Sequence, residues 1–173
     1  PKEVIDSINQ IRFRSLKLYI FIINKIFFSK NASIYFPNED IPFTRIYEPK
    51  NRSSYLAPEN QTAIVVEVPY NDGNKNNKDM ISMIKSFLIK NNFINIDEIK
   101  FNNIIDIPYA YPILEKDIST KIALGLNYLN KFQNLHLIGR NAEFKYLHTH
   151  DLFDRADKKI NFLINKRSIY GPK

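Results

Sequence analysis

The chain contains no cysteine and only four glycines. Without cysteine it can form neither disulfides nor thiolate metal sites, and it has no cysteine nucleophile. The glycines are too few and too scattered for a GxGxxG dinucleotide turn or a GxxxxGK phosphate loop, and neither a GxSxG elbow nor an HExxH helix occurs. The lack of cysteine fits a reducing compartment, so we expect a cytoplasmic protein.

Long apolar runs are missing as well. The richest segment, 16–28, is interrupted by Lys17, Asn24 and Lys25, whereas a bilayer-spanning helix needs about 20 apolar residues. We therefore expect no membrane span. Apolar residues make up 44% and aromatic residues 13% of the 173 positions, which is typical of a globular protein with a sizeable core.

The net charge of +7 would suit an anionic partner. The lysines and arginines are scattered singly, however, and no basic run, zinc-finger spacing or RNA-binding signature is present. We therefore expect no nucleic-acid partner. A compositional bias toward Asn, Ile and Lys accounts for the charge equally well, as lysines on solvated faces.

Strands are predicted where β-branched and aromatic residues concentrate between turn residues: 15–23, 33–36, 43–47, 62–68 and 99–107. A short apolar run at 135–138 is predicted to be a last short strand. The second and third should pair as a hairpin, and the strand at 62–68 should be central. Between the fifth strand and the next helix, Pro108 and Pro112 are predicted to bracket an aromatic turn.

Helical spacing of apolar residues predicts helices at 4–11, 79–90 and 118–132, and a last one marked by Leu152, Ala156, Ile160 and Leu163. A polar connection is expected at 71–78, and the stripe Ile122, Leu126, Leu129 and Phe132 is expected to be core. Without repeats or a low-complexity linker, the order of elements indicates one compact α+β unit. Its β-sheet should be mixed, largely antiparallel and flanked by helices.

The pair His148 and His150 invites a metal interpretation, because imidazoles two residues apart on an extended segment can share an ion. Zinc would need a third and usually a fourth ligand, for which only Asp151 and Asp154 lie nearby. Asp151 suits the first turn of the last helix, where its charge favours the helix dipole. We therefore predict no metal site.

The segment GRNAEFKY, residues 139–146, resembles the GRxxxFRY or GRLxxYKY segment that closes the flavin site of two related groups. These are the flavin amine-oxidase-like proteins, including protoporphyrinogen oxidase-like enzymes, and the UDP-galactopyranose mutases. Further segments are similar in the same order: RSL at 14–16, IYFP at 34–37, PFTRIYEPK at 42–50 and AYP at 110–112. The ordered set covers roughly residues 10–165.

In these groups an N-terminal βαβ unit with a GxGxxG turn holds the FAD pyrophosphate. The resemblance therefore implies that FAD is bound only together with a missing N-terminal FAD-binding unit, and that this chain alone is inactive. It implies a substrate-binding region at 1–133 and a tail at 167–173. Between them, 134–166 would be the closing segment of the FAD-binding domain, contributing its last strand and helix.

The resemblance also implies roles for individual residues. Gly139 would allow close backbone approach, Arg140 would lie by the flavin or an anionic substrate, and Arg45 falls where the family places an active-site arginine on a strand. Tyr146 matches a tyrosine that contacts substrate phosphate in the mutases. The cofactor contacts would be Gly139, Arg140, Asn141, Thr149 and His150, and the substrate contacts Arg45, Tyr146 and His148.

Several positions depart from the family patterns. The mutase pattern has Asp where His148 stands; the amine-oxidase-like pattern has Asn there and Asp in place of His150. Ala142 and Glu143 replace glycines of the commoner loop forms.

The leading hypothesis is the substrate-binding region of an FAD-dependent, amine-oxidase-like oxidoreductase with a small, anionic or sugar-nucleotide substrate. The alternatives are a flavin-dependent sugar-nucleotide mutase and a stand-alone ligand- or partner-binding module.

Overall fold

The computed structural model describes residues 1–71 and 79–170 and shows the predicted α+β fold. The predicted polar connection at 71–78 lies, apart from its first residue, outside the described residues. The elements in chain order are α1 (Lys2–Asn9), β1 (Phe13–Ile23), β2 (Ser33–Tyr35), β3 (Arg45–Tyr47), β4 (Thr62–Tyr70), α2 (Met80–Lys90), β5 (Ile99–Pro112), α3 (Ile118–Leu129) and α4 (Thr149–Tyr170). None of the helices in the described ranges is long and apolar enough to cross a membrane.

The chain forms two compact units, and the expectation of one was wrong. One unit is the continuous stretch Arg12–Ile113, which contains the whole sheet; the other combines Pro1–Ile11 with the residues from Leu114 onward. Within the second unit α1 packs on α3, where Ser7 donates a hydrogen bond to the Lys121 carbonyl. The two helices are far apart in sequence, and so local patterns could not show that they belong together.

The sheet has five strands in the order β2-β3-β4-β1-β5, and each neighbouring pair is antiparallel. The β2–β3 hairpin is confirmed, with Ile34 opposite Ile46. The central position of β4 is confirmed too, since it pairs with β3 on one side and β1 on the other. This arrangement agrees with the predicted, largely antiparallel sheet.

Alternation along the strands gives the sheet two different faces. One face carries Phe21, Ile46, Ile64 and Val66, each fully buried, and packs against the Met80, Ile84 and Leu88 side of α2. This is the core of the Arg12–Ile113 unit. The residues next to Ile46 and Val66 in sequence, such as Arg45, Tyr47 and Glu67, therefore lie on the opposite face.

Asn92 ends α2 by adopting a left-handed backbone, with φ 56°. This conformation lets the Asn92 and Phe93 amides donate to the carbonyls of Ile89 and Leu88 at 3.0 and 2.9 Å. Asparagine adopts the left-handed conformation more readily than most other residues. The chain then turns so that Phe93 contacts Phe28 and Phe87 on the core side of the sheet.

The predicted aromatic turn between Pro108 and Pro112 was wrong, because β5 continues through this segment to Pro112. The pairing with β1 shifts between Arg14 and Leu16, and Tyr109 has a φ of 56°. The extra residues form a bulge that bends the strand without ending it. Proline has no backbone amide hydrogen to donate, so it is tolerated at a bulge as well as at a turn. The two prolines here therefore accompany a bulge.

The strand predicted at 135–138 was also wrong in the described structure, where these residues are in no regular element. Extended chain becomes a strand only when a neighbouring strand supplies hydrogen bonds, and no described strand lies beside this segment. The stripe expected to be core on α3 is half-buried at Ile122, Leu126 and Leu129, whereas Phe132 is exposed. The buried positions of α3 are Ile118 and Gly125.

A buried carboxylate fixes the segment that follows β3. Glu48 is 0% exposed and accepts hydrogen bonds from the amides of Phe28 and Ser29 at 2.8 and 2.9 Å. It also accepts one from the Thr62 hydroxyl at 2.7 Å and one from the Asn51 side-chain amide at 2.9 Å. Burying a carboxylate is costly unless its lone pairs are satisfied, so these four donors are what make the position stable.

Lys50 fixes the other side of the same segment. Its ammonium donates to the carbonyls of Pro58, Glu59 and Gln61 at 2.8, 2.8 and 2.9 Å and lies 5.2 Å from the centre of the Phe27 ring. All three ammonium hydrogens thus have backbone acceptors. The loop before β4 is held against the end of β3 by side chains rather than by a sheet ladder.

Replacing Glu48 with Gln is expected to destabilise the protein by at least about 2 kcal/mol, because the amide nitrogen would face two donors and leave buried groups without acceptors. Urea unfolding followed by circular dichroism measures the change. Glu39→Gln, at an exposed position, is the matched control and should change the free energy of unfolding by less than about 0.5 kcal/mol. Equal stability of the two variants would contradict the role of Glu48.

Candidate functional site

Arg45 lies on the sheet face opposite α2 and is held by Glu67 directly across from it on β4. Its Nε donates to one Glu67 carboxylate oxygen at 3.0 Å and a terminal nitrogen donates to the other oxygen, so the pair is bidentate. The hydrogen bond to Glu67 raises the pKa of Arg45, while burial acts in the opposite direction. The guanidinium is therefore permanently charged, fixed in orientation and compensated by one carboxylate.

Aromatic rings flank this ion pair. The Arg45 guanidinium carbon lies 5.8 Å from the centre of the Tyr35 ring and 5.1 Å from that of Tyr47, and Arg52 lies 5.7 Å from the Tyr47 ring. Arg45 also donates to the Tyr35 hydroxyl at 3.4 Å. We call this set the tyrosine–arginine face: Tyr35, Arg45, Tyr47, Arg52 and Glu67.

The Tyr47 hydroxyl is kept neutral over a wide pH range. Burial raises the pKa of Tyr47 above its ordinary value of 10.0, and the nearby Glu67 carboxylate raises it further, against the opposing effect of Arg45 and Arg52. Tyr111 of β5 contributes a weaker electrostatic effect of the same sign as Glu67. At neutral pH the face thus offers phenol hydroxyls and guanidinium groups, which together suit a polar, negatively charged ligand.

The segment 139–146 belongs to the other compact unit and forms a tight turn. Gly139 has a φ of +104°, which side-chain-bearing residues rarely adopt, and the space where a Cβ would project is open. The Glu143 amide donates to the Gly139 carbonyl at 2.9 Å, and the Lys145 amide to the Arg140 carbonyl at 3.1 Å. The turn brings the Arg140 guanidinium to 4.7 Å from the centre of the Tyr146 ring.

Glu143 organises this turn, although it replaces a glycine of the commoner family pattern. Its carboxylate accepts from the Gly139 amide at 3.3 Å and from Arg155 of α4 at 2.6 Å, with Lys145 at 3.6 Å. The turn of residues 139–146, which we call the glycine–arginine turn, is thereby tied to α4 through a charged hydrogen bond. Sequence inspection singled out Glu143 only as a departure, since its partner Arg155 lies twelve residues further on.

His148, Thr149 and His150 lie at the start of α4. The two imidazoles are stacked, with ring centres 5.6 Å apart and planes within 6°. Asp151 accepts a hydrogen bond from the His148 amide at 2.8 Å, so it occupies the helix N-terminus as predicted. Within the described ranges no group of three or more metal-ligating side chains comes together.

The predicted site residues thus fall in three places. Arg45 lies in the Arg12–Ile113 unit; Arg140 and Tyr146 are brought together in the glycine–arginine turn; and Thr149 lies with His148 and His150 at the helix start. Asn141 is exposed within the turn. Prediction from sequence missed Glu67, Tyr35 and Tyr47, which contact Arg45, and Arg52, which contacts Tyr47. Alternation on paired strands was the only signal that could have found the first three.

The segment 139–146 could contact one edge of a dinucleotide cofactor, but it could not form the whole of the cofactor's binding site. The open space at Gly139 allows a flat ring or phosphate to approach the backbone, and Arg140 supplies a cation beside it. The 173 residues contain no GxGxxG turn to hold a pyrophosphate. The Gly139 amide itself donates to Glu143 and is not directed outward.

The solved structures that share this fold include the two that follow. Reduced UDP-galactopyranose mutase matches with a TM-score of 0.68 and 17% identity over 80% of this chain and 30% of its own. A protoporphyrinogen oxidase-like protein from Exiguobacterium matches with a TM-score of 0.64 and 14% identity over 92% of this chain and 36% of its own. The chain thus spans about a third of their length.

The family model described as UDP-galactopyranose mutase matches residues 5–146, the larger part of the chain. The chain therefore belongs to the UDP-galactopyranose mutase family, a family of FAD-dependent proteins. A comparison of the sequence with curated proteins finds no match. The matched residues include Arg45, Arg140 and Tyr146 and end just before His148.

Replacing Glu67 with Gln should release Arg45, because a neutral amide cannot make the bidentate charged pair. In ¹H–¹⁵N spectra the Arg45 Nε–H signal is expected to exchange with water more than about tenfold faster, and stability to fall by about 1–3 kcal/mol. Asp154→Asn, which breaks the exposed Lys158–Asp154 pair, should cost less than about 0.5 kcal/mol. An unchanged Arg45 signal in Glu67→Gln would contradict the pairing.

Replacing Gly139 with Ala should strain the glycine–arginine turn through its backbone alone, since the added methyl meets no atom within 4 Å. The strain of about 1–3 kcal/mol should lower the hydrogen-exchange protection of the Glu143 and Lys145 amides by about fivefold or more. Asn141→Ala should leave both amides as in the parent protein. Equal protection in the two variants would contradict the strain at Gly139.

Proposed function

We propose that this chain supplies the substrate-binding region of a flavin-dependent sugar-nucleotide mutase, with FAD held by an additional dinucleotide-binding unit. The observation that carries the proposal is the orientation of Arg45 within the family-matched segment. The side chain is locked by Glu67 on one sheet face between two tyrosine rings. A family relationship alone would support the fold, whereas a preoriented arginine among hydroxyls supports anion recognition.

In this proposal the residues of the chain bind and orient rather than react. Arg45 neutralises part of the negative charge of a sugar diphosphate, and the Tyr35 and Tyr47 hydroxyls are available to hydrogen-bond to it. In the other compact unit, Arg140 and Tyr146 form a separate cationic and aromatic pair in the glycine–arginine turn, which is proposed to face the flavin. FAD, when bound, would supply the reactive ring for the ring contraction of the sugar.

A second candidate is an amine-oxidase-like oxidoreductase, which one observation favours. His148 stands where the mutase pattern has aspartate, and in the structure it stacks on His150 at the start of α4. An imidazole at position 148 removes the carboxylate of the mutase pattern next to the glycine–arginine turn. The fold does not decide between the two candidates, because one similar structure is a mutase and the other a protoporphyrinogen oxidase-like protein.

The flavin-loaded protein containing these residues should interconvert the pyranose and furanose forms of UDP-galactose when reduced, as followed by chromatography of the products. Arg45→Ala is expected to lower turnover by about 100-fold or more, because a preoriented charged contact is lost. Arg45→Lys should also fall well below the parent, since an ammonium cannot replace the bidentate pair.

Lys100→Gln, at an exposed position on β5, is the charge-matched control and should keep the parent rate. Full turnover in Arg45→Ala would contradict the role proposed for the tyrosine–arginine face. Flavin reduction by an amine without sugar-nucleotide conversion would favour the second candidate instead.

A further inference from the structure

Arg52 belongs to the tyrosine–arginine face but has no role in the proposed function. Arg52 follows the turn Pro49–Asn51 and lies against the Tyr47 ring at 5.7 Å. One of its terminal nitrogens donates to the Ser33 hydroxyl at 3.4 Å. Ser33 and Tyr47 are directly paired across β2 and β3, so Arg52 lies at the corner of the same face that presents Arg45.

The two arginines of this face differ in how their charges are compensated. Arg45 shares a carboxylate bidentately with Glu67. Arg52 is exposed, and its contacts are with a neutral hydroxyl and an aromatic ring; no carboxylate in residues 1–71 or 79–165 pairs with it. The larger share of the positive charge that this face presents to an incoming anion therefore comes from Arg52, and a smaller share comes from Arg45, whose charge is partly compensated by Glu67.

The backbone that carries Arg52 is more constrained than that of an ordinary surface arginine. Its amide donates to the Pro49 carbonyl at 2.9 Å. The preceding Asn51 side-chain nitrogen contacts the carbonyls of Ser29 and Asn31 and the Glu48 carboxylate at 2.7, 3.1 and 2.9 Å. Before it, Lys50 is anchored to three carbonyls. The guanidinium thus projects from a fixed turn, which lowers the entropy lost on binding.

We propose that Arg52 binds a phosphate group of a phosphorylated ligand on this face, beside Arg45. The inference rests on the proposed function for the identity of the ligand as a sugar nucleotide. A guanidinium matches two phosphate oxygens with parallel N–H donors, and the contact with the Tyr47 ring keeps its plane oriented while its outer edge stays accessible. Tyr35, 69% exposed on the same face, offers a ring surface to the remainder of the ligand.

Binding of UDP, pyrophosphate and uridine to the 173-residue chain is measured by isothermal titration at low ionic strength, for the parent and two variants. Arg52→Gln removes the proposed contact, and Lys100→Gln removes one positive charge from an exposed position on β5. Both exposed positions should tolerate substitution, which circular dichroism checks. Arg52→Gln is expected to weaken UDP and pyrophosphate binding about tenfold. Lys100→Gln should change either affinity by less than about twofold.

Each outcome decides between the two proposals. If UDP binds and Arg52→Gln matches the parent, Arg52 is not the phosphate contact, while the proposed function stands. If Arg52→Gln weakens pyrophosphate binding but UDP binds no more tightly than pyrophosphate, the phosphate site at Arg52 is supported. The identification of the ligand as a sugar nucleotide is then contradicted. If the parent binds neither compound, or if both variants weaken binding equally, the phosphate site at Arg52 is refuted.

Discussion

The buried carboxylate of Glu48 is the interaction on which the candidate site depends. It draws together the chain after β1, the turn after β3 and the first residue of β4, three segments that no sheet ladder connects at that point. A carboxylate without solvent must have its lone pairs satisfied, so these segments cannot separate without exposing unpaired groups. The direction in which the chain leaves β3 follows from this constraint.

This constraint also explains how the tyrosine–arginine face is built from short strands. β2 and β3 are three residues each, too short to hold long side chains in place by pairing alone. Anchoring by Glu48 and Lys50 fixes the turn beyond them, and Glu67 on the longer central strand β4 fixes Arg45. The central strand β4 and the anchored turn thus orient the side chains of the β2–β3 hairpin at the edge of the sheet. Binding sites generally require such support from rigid elements.

Much of the fold could be predicted because its signals are local. β-Branched runs marked β1 and β4, turn residues marked the hairpin, and apolar spacing marked α2. Of the four apolar residues that the spacing places on one face of α2, Met80, Ile84 and Leu88 are buried and Phe87 is half-buried. The strand expected at 135–138 failed because strand formation needs a partner that the described residues do not supply. The turn expected after Ile107 failed because prolines occur at bulges as well as at turns.

The candidate site could be predicted only where a family pattern pointed to it. Arg45 and the 139–146 segment were found through the resemblance. Glu67 lies 22 positions from Arg45, and its role depends on cross-strand register, which a single sequence does not specify. The sequence also could not show that Arg52 lacks a carboxylate partner among the described residues, because that depends on where the neighbouring carboxylates lie in the fold.

The measurement that tests the central claim most directly is a ¹H–¹⁵N titration of the chain with UDP. The account predicts that the amide signals of Arg45, Tyr47 and Arg52 shift together with one saturation curve, while those of Ile84 and Leu88, on the core side of the sheet, stay unchanged. Shifts confined to residues outside the tyrosine–arginine face, at concentrations that saturate binding, would contradict the claim that this face is the ligand site.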